Sequence, residues 1–446
     1  MAVVESGPSP TPASLPRVIG TGRFALMVVG ITIGTAIFRV PSVIAANAGS
    51  PGIAIGIWIL GAVFAFSGGL AAAEVTVRYP GAGGEYALLR TIYGERIGFV
   101  YGWTWLLLVS PAAIAAVSRT FADYAATFVA LSELERRLLT VVVIAVHAAL
   151  AMASTTLASR FVGAATAAKL VAMGAVVVAA FVLTPIASAT AAPPLPPSAG
   201  SIGALIAAMV AVIWAYDGTS QVTMAGDVAN PSRTIPRGLL FGTGLVAAAY
   251  LLMVVAYQRP LGFAGMAASQ AVAADAMGAL VGPRGAALVA AMVMLSSYSC
   301  GMAQVVAHPR VTFALAADGM FFARFATLSV AGTPWAAVIL HAALASVLAM
   351  LGGYELLFRL VVFALYPLAA AVYFGAIVLR RREGVPSGFR MPLYPLPIII
   401  YGALLGLVLV VSLVEDPVAP VYSGVVLVAG WLVHRFIVRK PGPAVK

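Results

Sequence analysis

Apolar residues fill most of this chain in long runs, and polar or charged residues interrupt these runs only briefly. Each run holds about 19 to 30 residues, enough for a helix to cross a hydrocarbon core of about 30 Å. The pattern predicts an all-α integral membrane protein with twelve transmembrane helices. The twelve predicted segments lie at 23–46, 52–77, 87–117, 138–157, 160–185, 202–225, 239–258, 284–306, 333–352, 355–379, 396–414 and 420–438.

Two of the predicted helices are interrupted near their middle. The first carries VGITIGTAIFRVP at 29–41, and the sixth carries WAYDGTSQ at 214–221. Glycine weakens a helix, and lipid offers no water to the freed backbone groups, so such a break survives only where it lines a cavity. Paired interruptions are a sequence signal of a transporter's substrate site.

A proline-rich stretch at 184–200 separates segment five from segment six. Because five is odd, the second set of five helices starts from the opposite side of the membrane, which is the geometry of an inverted repeat. We therefore predict the following division of the chain: a disordered cytoplasmic tail at 1–17, a first five-helix repeat at 18–185, an extracellular proline-rich loop at 186–199, a second repeat at 200–380, two additional helices at 381–438 and a cytoplasmic tail at 439–446.

Composition agrees with a membrane protein, because 62% of the 446 residues are hydrophobic, only 9% are charged and the mean hydropathy is +1.03. The net charge of +11 comes from basic residues in short loops rather than on one folded face, which argues against a nucleic-acid partner. Alternate loops differ in their content of Arg and Lys. The positive-inside rule predicts that both termini lie in the cytoplasm, with membrane lipids as neighbours of the helices.

Few residues offer redox, metal or cofactor chemistry. Cys300 is the single cysteine, so no intramolecular disulfide can form. The four histidines lie on different segments without metal-ligand spacing, and the sequence predicts neither a metal nor a cofactor.

An interrupted helix exposes unpaired amides at the start of its outer half and unpaired carbonyls at the end of its inner half, which suits a zwitterion. The amides of Gly34, Thr35 and Ala36 would receive a carboxylate. Carbonyls near Thr32, Trp214 and Asp217 would accept from an ammonium group. Alternatives remain: the glycines could serve close packing only, and Trp214 could be simple packing. The predicted substrate-binding set is Thr32, Ile33, Gly34, Thr35, Ala36, Trp214, Tyr216, Asp217 and Gly218.

Asp217 is costly in hydrocarbon unless it faces a cavity or a partner. Two interpretations stay open, contact with the substrate and capping of the amides of its own broken helix. Glu74, which ends segment two, is expected to serve at an inner gate or as a cap.

Several motifs carry a family resemblance: the glycine run at 30–38, YPGAGGEY at 79–86, WAYDG at 214–218, NPSRTIP at 230–236, and PRV and ADG at 309–319. Together they resemble the amino acid-polyamine-organocation (APC) superfamily, and in particular bacterial members of its L-amino-acid transporter branch. The resemblance implies a LeuT-like fold, a five-plus-five inverted repeat with discontinuous helices 1 and 6. It also implies that the first break holds the substrate carboxylate and that Trp214 is an aromatic gate. Ala36 stands where the family usually has glycine, and Thr219 replaces a frequent tryptophan.

Lys169 is the only lysine before residue 440, and it lies in the middle of segment five. The resemblance places it where sodium-coupled relatives keep a cation between helices one, five and eight. An ammonium there would bond carbonyls near Gly30 and a hydroxyl among Ser296, Ser297 and Ser299. This predicts sodium independence, with Lys169 either as a coupling group that releases a proton or as a fixed strut.

The sequence thus predicts a secondary active transporter of amino acids, most specifically of small neutral L-amino acids. It would work by alternating access, as an exchanger or coupled to protons. One alternative is a transporter of polyamines or cationic amino acids. Alternatives of another class are a non-transporting amino-acid sensor and a membrane enzyme, although an enzyme needs convergent catalytic groups and the intramembrane ionisable residues are scattered. The sequence leaves the oligomeric state open.

Overall fold

The structure is a computed structural model that describes residues 19–80, 84–153, 155–183, 194–217, 228–329 and 333–436, with only the backbone at 31 and 155–168. Within these ranges the regular structure is helical. The α-helices are α1 Thr21–Thr32, α2 Val40–Ala48, α3 Pro51–Arg78, α4 Gly84–Tyr93, α5 Glu95–Thr104, α6 Ser110–Ala125, α7 Glu133–Ala153, α8 Thr155–Val182, α9 Ile202–Ala215, α10 Pro231–Ala268, α11 Val272–Val281, α12 Pro283–Ala307, α13 Pro309–Ala317, α14 Trp335–Leu351, α15 Tyr354–Glu383, α16 Leu396–Glu415 and α17 Val418–Phe436.

Among the described residues, eight helical stretches are long and apolar enough to cross a membrane. They correspond to predicted segments two, three, four, seven, eight, ten, eleven and twelve. The other four predicted segments also carry helix, namely α1 with α2, then α8, α9 and α14, which are shorter or only partly described. The chain is therefore a multi-pass membrane protein, helical in the regular structure of its described residues.

Two predicted boundaries were wrong, and backbone geometry explains both. Segment three, predicted at 87–117, begins instead at α5, because Gly94 with φ +91° separates α4 from Glu95–Thr104. A π-helical turn, Trp105–Val109, joins α5 to α6. Segment seven, predicted at 239–258, is longer, since α10 runs over Pro231–Ala268 with a non-helical Gly262 inside it.

The first predicted interruption is present. Helix α1 ends at Thr32, a short 3-10 turn covers Ala36–Phe38, and α2 begins at Val40. In the sixth segment α9 ends at Ala215, and Tyr216 and Asp217 leave the helix. Gly218 and Thr219 lie outside the described residues.

The two interrupted segments share one core with α3 and α10. Glycines let the helices approach closely: a Cβ at Gly242 of α10 would lie 2.8 Å from Val28 of α1, and one at Gly61 of α3 would lie 2.6 Å from Val212 of α9. A second group consists of α6 packed against α7, α12 and α14. We call the end of the molecule with Thr21, Arg78 and Arg380 the inner end, and the end with Gly49, Ala125 and Gln270 the outer end.

Candidate functional site

A single side chain of α10 joins the two interrupted helices. The Tyr250 hydroxyl lies 2.8 Å from the Thr32 carbonyl, which ends α1, and 3.0 Å from the Ala215 carbonyl, which ends α9. Tyr250 is fully buried, and its ring packs edge-on against Trp58 with the centroids 5.4 Å apart. Because one hydroxyl carries one proton, the two carbonyls share a single donor.

The predicted carboxylate site is a compact, buried loop. Ile33, Thr35 and Ala36 are 1%, 2% and 5% exposed. The Gly34 amide donates to the Thr32 carbonyl at 2.7 Å, and the Arg39 amide donates to the Ala36 carbonyl at 3.0 Å. A ligand carboxylate at Gly34 must therefore exchange for an existing hydrogen bond.

Two hydroxyls at this place are buried without a hydrogen-bond partner among the described residues: Thr32 Oγ1 and the Tyr216 hydroxyl. Buried polar atoms are nearly always hydrogen-bonded, and leaving one unpaired costs about 1–3 kcal/mol. The Tyr216 ring packs against Trp58 at 6.0 Å and Tyr250 at 5.3 Å. The two unpaired hydroxyls are suited to hydrogen-bond a polar ligand between the interrupted helices.

Trp214 belongs to a group of contacts at the outer end, which we call the outer latch. Its indole N–H donates to the Tyr354 hydroxyl at 3.0 Å, and its ring lies parallel to Phe358. The Arg39 guanidinium lies 6.0 Å from the centre of the Tyr354 ring and donates to Gln270, at 2.8 Å to the carbonyl and 3.2 Å to the side-chain oxygen. The contacts of Trp214, Tyr354, Arg39 and Gln270 join the end of α9, the start of α15, the start of α2 and the turn before α11.

The predicted contact between Lys169 and the Gly30 carbonyl is present. The Lys169 ammonium, 5% exposed, donates to the Gly30 carbonyl at 2.6 Å, at the negative end of the α1 dipole. The predicted serine contact differs: Ser296 Oγ is buried without a partner among the described residues, and Ser297 donates to carbonyls of its own helix. The role of Lys169 in coupling stays a prediction.

Asp217 has a neighbour that the sequence interpretation missed. Glu85, at the start of α4 and 5% exposed, lies close enough to interact electrostatically with Asp217 and is hydrogen-bonded by Tyr101. Burial, reinforced by the Asp217 charge and opposed by the Tyr101 hydrogen bond, raises the pKa of the Glu85 carboxyl from 4.5 to about 8. Glu85 belongs to the YPGAGGEY motif at 79–86, which is the signal that could have identified it.

At the inner end Glu74 is fully buried and makes a two-pronged ion pair with Arg380, at 2.7 and 2.6 Å. It also accepts from the Met391 amide at 2.7 Å. Nearby, the Ile19 carbonyl accepts from the Ala229 amide at 3.0 Å. These contacts join the ends of α1, α3 and α15 to neighbouring loops, which agrees with an inner-gate or structural position for Glu74.

The predicted binding residues that the structure describes lie on or beside the two helix ends joined by Tyr250: Thr32, Ile33, Gly34, Thr35, Ala36, Trp214, Tyr216 and Asp217. Lys169 contacts α1 at Gly30, two residues before the end of that helix. Two histidines, treated as unrelated in the sequence, converge: Ser110 Oγ lies 2.6 Å from His341 Nδ1 and 3.1 Å from His308 Nδ1. Ser110 is 198 and 231 positions from these two histidines in the sequence, so no local sequence pattern predicts the contacts. No cluster of three His, Cys, Asp or Glu side chains occurs within the described part of the chain.

Comparisons with known proteins agree with this architecture. The amino acid permease family matches residues 19–434. The serine/threonine exchanger SteT of Bacillus subtilis is 26% identical over 385 residues, 83% of this chain and 86% of that protein. The human b(0,+)-type amino acid transporter 1 is 26% identical over 378 residues, 83% of this chain and 77% of that protein. The mouse Asc-type amino acid transporter 1 is 25% identical over 434 residues, 94% of this chain and 80% of that protein.

The matched region includes both interrupted helices, Tyr250 and Lys169. The family and these relatives are transporters rather than enzymes. The chain belongs to the amino acid permease family and is a membrane transporter of amino acids in the APC superfamily.

Proposed function

We propose that this chain is a secondary active transporter of small neutral L-amino acids that works by alternating access, independently of sodium, as an exchanger or coupled to protons. The observation that carries the proposal is the junction at Tyr250. It holds together two helix ends whose backbone groups are complementary to an α-carboxylate and an α-ammonium. The serine/threonine substrates named for SteT support small neutral cargo.

Ala36 supports the restriction on size. It lies in the 3-10 turn, 5% exposed, and its methyl group takes space that a glycine would leave open. Sodium independence is supported by Lys169, whose ammonium donates a hydrogen bond to the Gly30 carbonyl. In this proposal Trp214 closes the outer end over the bound amino acid.

The membrane topology is proposed in the same terms. Twelve helices form a five-plus-five inverted repeat over 18–185 and 200–380, with two further helices at 381–438, in the LeuT-like arrangement. The inner end faces the cytoplasm of a bacterial inner membrane, and both termini are on that side. The density of arginines at that end, including Arg78 and Arg380, supports this orientation.

A second candidate is transport of polyamines or cationic amino acids. It is favoured by one observation, the two neighbouring carboxyls of Glu85 and Asp217. Competition separates the two candidates: arginine or putrescine should displace a labelled neutral amino acid only if the second candidate is correct.

The substrate is tested by a thermal-shift screen of the purified protein against the proteinogenic amino acids. We expect the largest stabilisation from small neutral residues, and its loss in Gly34→Val. Gly56→Val is the matched control, because a Cβ at Gly56 meets nothing within 4 Å. Stabilisation that Gly34→Val retains would contradict the site, and no stabilisation by any amino acid would contradict the function.

The coupling is tested by uptake into proteoliposomes. We expect uptake without sodium and a pH dependence that changes in Lys169→Ala. Uptake that requires sodium would contradict the proposal, whereas an unchanged pH dependence in Lys169→Ala would leave Lys169 as a strut.

A further inference from the structure

Arg39 lies between the predicted carboxylate site and the outer latch. It is the residue immediately before α2, and its amide donates to the Ala36 carbonyl at 3.0 Å. The neighbouring Phe38 carbonyl accepts from the Tyr124 hydroxyl at 2.7 Å, so hydrogen bonds restrain the backbone at this position. The arginine is therefore anchored directly on the turn whose amides are predicted to receive the substrate carboxylate.

The Arg39 guanidinium has two edges that can each bind a pair of oxygens, and Gln270 uses one of them. Nη1 donates to the Gln270 carbonyl at 2.8 Å, and Nη2 donates to the Gln270 side-chain oxygen at 3.2 Å. The other edge, which we call the side edge, consists of Nε and the second hydrogen of Nη2. Nε is buried and has no hydrogen-bond partner among the described residues. The side edge therefore keeps a donor available for a carboxylate, which a guanidinium binds through two parallel hydrogen bonds.

Acidic residues near the outer end have other partners. Asp123 pairs with Arg119 at 2.9 Å, and Asp275 accepts from Ser269 at 2.5 Å. The polar and aromatic groups that Arg39 contacts within the described ranges are neutral. The proline-rich sequence at 184–193 contains no Asp or Glu either. A guanidinium is always charged, so Arg39 presents a positive charge at the outer end to which these parts of the chain supply no acidic partner.

We propose that Arg39 is an outer docking residue, whose side edge binds the α-carboxylate of an amino acid that enters from the outer end. The carboxylate binds there before it reaches the amides of the interrupted first helix. Charge-assisted hydrogen bonds are about twice as strong as neutral ones, so a carboxylate competes well with the amide oxygens of Gln270 for the guanidinium. This docking step rests on the proposed function, since it is the first step of transport from the outer end.

The outer latch controls access to the docking residue. The guanidinium lies 6.0 Å from the centre of the Tyr354 ring, and the Tyr354 hydroxyl accepts from the Trp214 indole at 3.0 Å. When these two side chains separate, the side edge of Arg39 is open to an incoming amino acid. When they meet again, the carboxylate has moved by one 3-10 turn, to the amides that begin at Gly34.

Two measurements on Arg39→Gln test the docking step. We expect kcat/KM for uptake of labelled L-serine into cells to fall about tenfold, because a charge-assisted contact on the way in is lost. The Kd of the purified protein for L-serine should stay unchanged, since the bound amino acid has left Arg39. The control is Arg284→Gln, which removes an exposed arginine at the start of α12 and should change neither quantity. Unchanged uptake, or a Kd that rises as much as kcat/KM falls, overturns the proposal.

Gln270→Glu keeps Arg39 in place and tests the same step if Arg39→Gln does not fold. The new carboxylate competes with the substrate for the guanidinium, so we expect kcat/KM for uptake to fall in this variant as well. Uptake as fast as in the wild type would contradict the docking step.

The carboxylate site can also be tested on purified protein without transport. With ¹⁵N-labelled arginine, the nuclear magnetic resonance signal of Arg39 Nε–H is identified by its absence in Arg39→Lys. We expect propanoate, which has a carboxylate and no ammonium, to shift this signal, and chloride at equal ionic strength to leave it unchanged. A signal that propanoate does not shift, or that chloride shifts equally, overturns the assignment. A wild type that takes up no amino acid contradicts the proposed function, while this titration still decides the carboxylate site.

Discussion

The outer and inner ends of this transporter differ in the chemistry of the contacts that join their helices. The outer latch uses an indole, a phenol, an amide and one guanidinium, and its hydrogen bond from Trp214 to Tyr354 joins neutral groups. The inner end uses the buried, two-pronged pair of Glu74 and Arg380. A neutral hydrogen bond contributes only about 0.5–1.5 kcal/mol, whereas breaking a buried ion pair by removing one partner costs about 3–5 kcal/mol.

The difference indicates how each end opens. Water can replace the partners of Trp214 and Tyr354 without separating two charges, so we expect the outer latch to cost less free energy to open than the inner contact. At the inner end both charges of the pair need to be solvated together. We therefore expect the inner contact to dominate the stability of the closed arrangement.

The largest effect is expected from Glu74→Ala. The substitution leaves Arg380 without its carboxylate, and we expect the free energy of unfolding to fall by about 3–5 kcal/mol. Glu355→Ala removes an exposed glutamate and should change stability by less than about 0.5 kcal/mol. Reversible denaturation in detergent measures both, and equal stability of the two variants would contradict the contrast between the ends.

The dependence of stability on pH is the next largest effect. Because the pKa of Glu85 rises from 4.5 in the unfolded chain to about 8 in the folded protein, its protonated form favours folding. That contribution is complete below pH 4.5 and is lost as pH rises through about 8.

Melting curves measure this contribution of Glu85 to stability. They are recorded for the wild type and for Glu85→Gln between pH 5 and 9, roughly the range over which Glu85 titrates. The wild type should lose stability relative to the variant as pH rises. A constant difference across this range would show that Glu85 does not titrate there.

A smaller effect is expected in the middle of the protein, where Tyr250 joins the ends of α1 and α9. Tyr250→Phe removes the donor shared by the Thr32 and Ala215 carbonyls, and we expect a loss of about 1–3 kcal/mol. The control is Tyr257→Phe on the same helix, since Tyr257 is equally buried and its hydroxyl has no partner among the described residues. Equal losses in the two variants would remove the special role of Tyr250.

The smallest effect belongs to the outer latch. Tyr354→Phe removes the acceptor of the Trp214 indole, and we expect a loss of about 1 kcal/mol in stability and faster release of a bound amino acid. Stopped-flow displacement measures the release, with Tyr257→Phe again as control. A loss as large as that of Glu74→Ala would contradict the comparison of the two ends.

Features encoded within one segment could be predicted from the sequence. The glycines around Thr32 predict the end of α1, and a single central lysine predicts a contact to a nearby helix carbonyl, which Lys169 makes with Gly30. Contacts made only by packing could not be predicted. Tyr250 lies 218 residues from Thr32 in sequence, and an isolated tyrosine in an apolar helix does not reveal its partners. Glu85 follows a glycine-rich loop, where an acidic residue reads as solvated until folding buries it.

Cys300 offers a single position for labelling this protein and following its movements. It is the only thiol of the chain, and it lies on α12 within electrostatic reach of the Lys169 ammonium. A maleimide fluorophore can therefore attach at one position, with no background from other sulfhydryl groups. Its rate of attachment reports how often reagent reaches the interface between α8 and α12, so the native sequence already supplies a kinetic reporter beside Lys169.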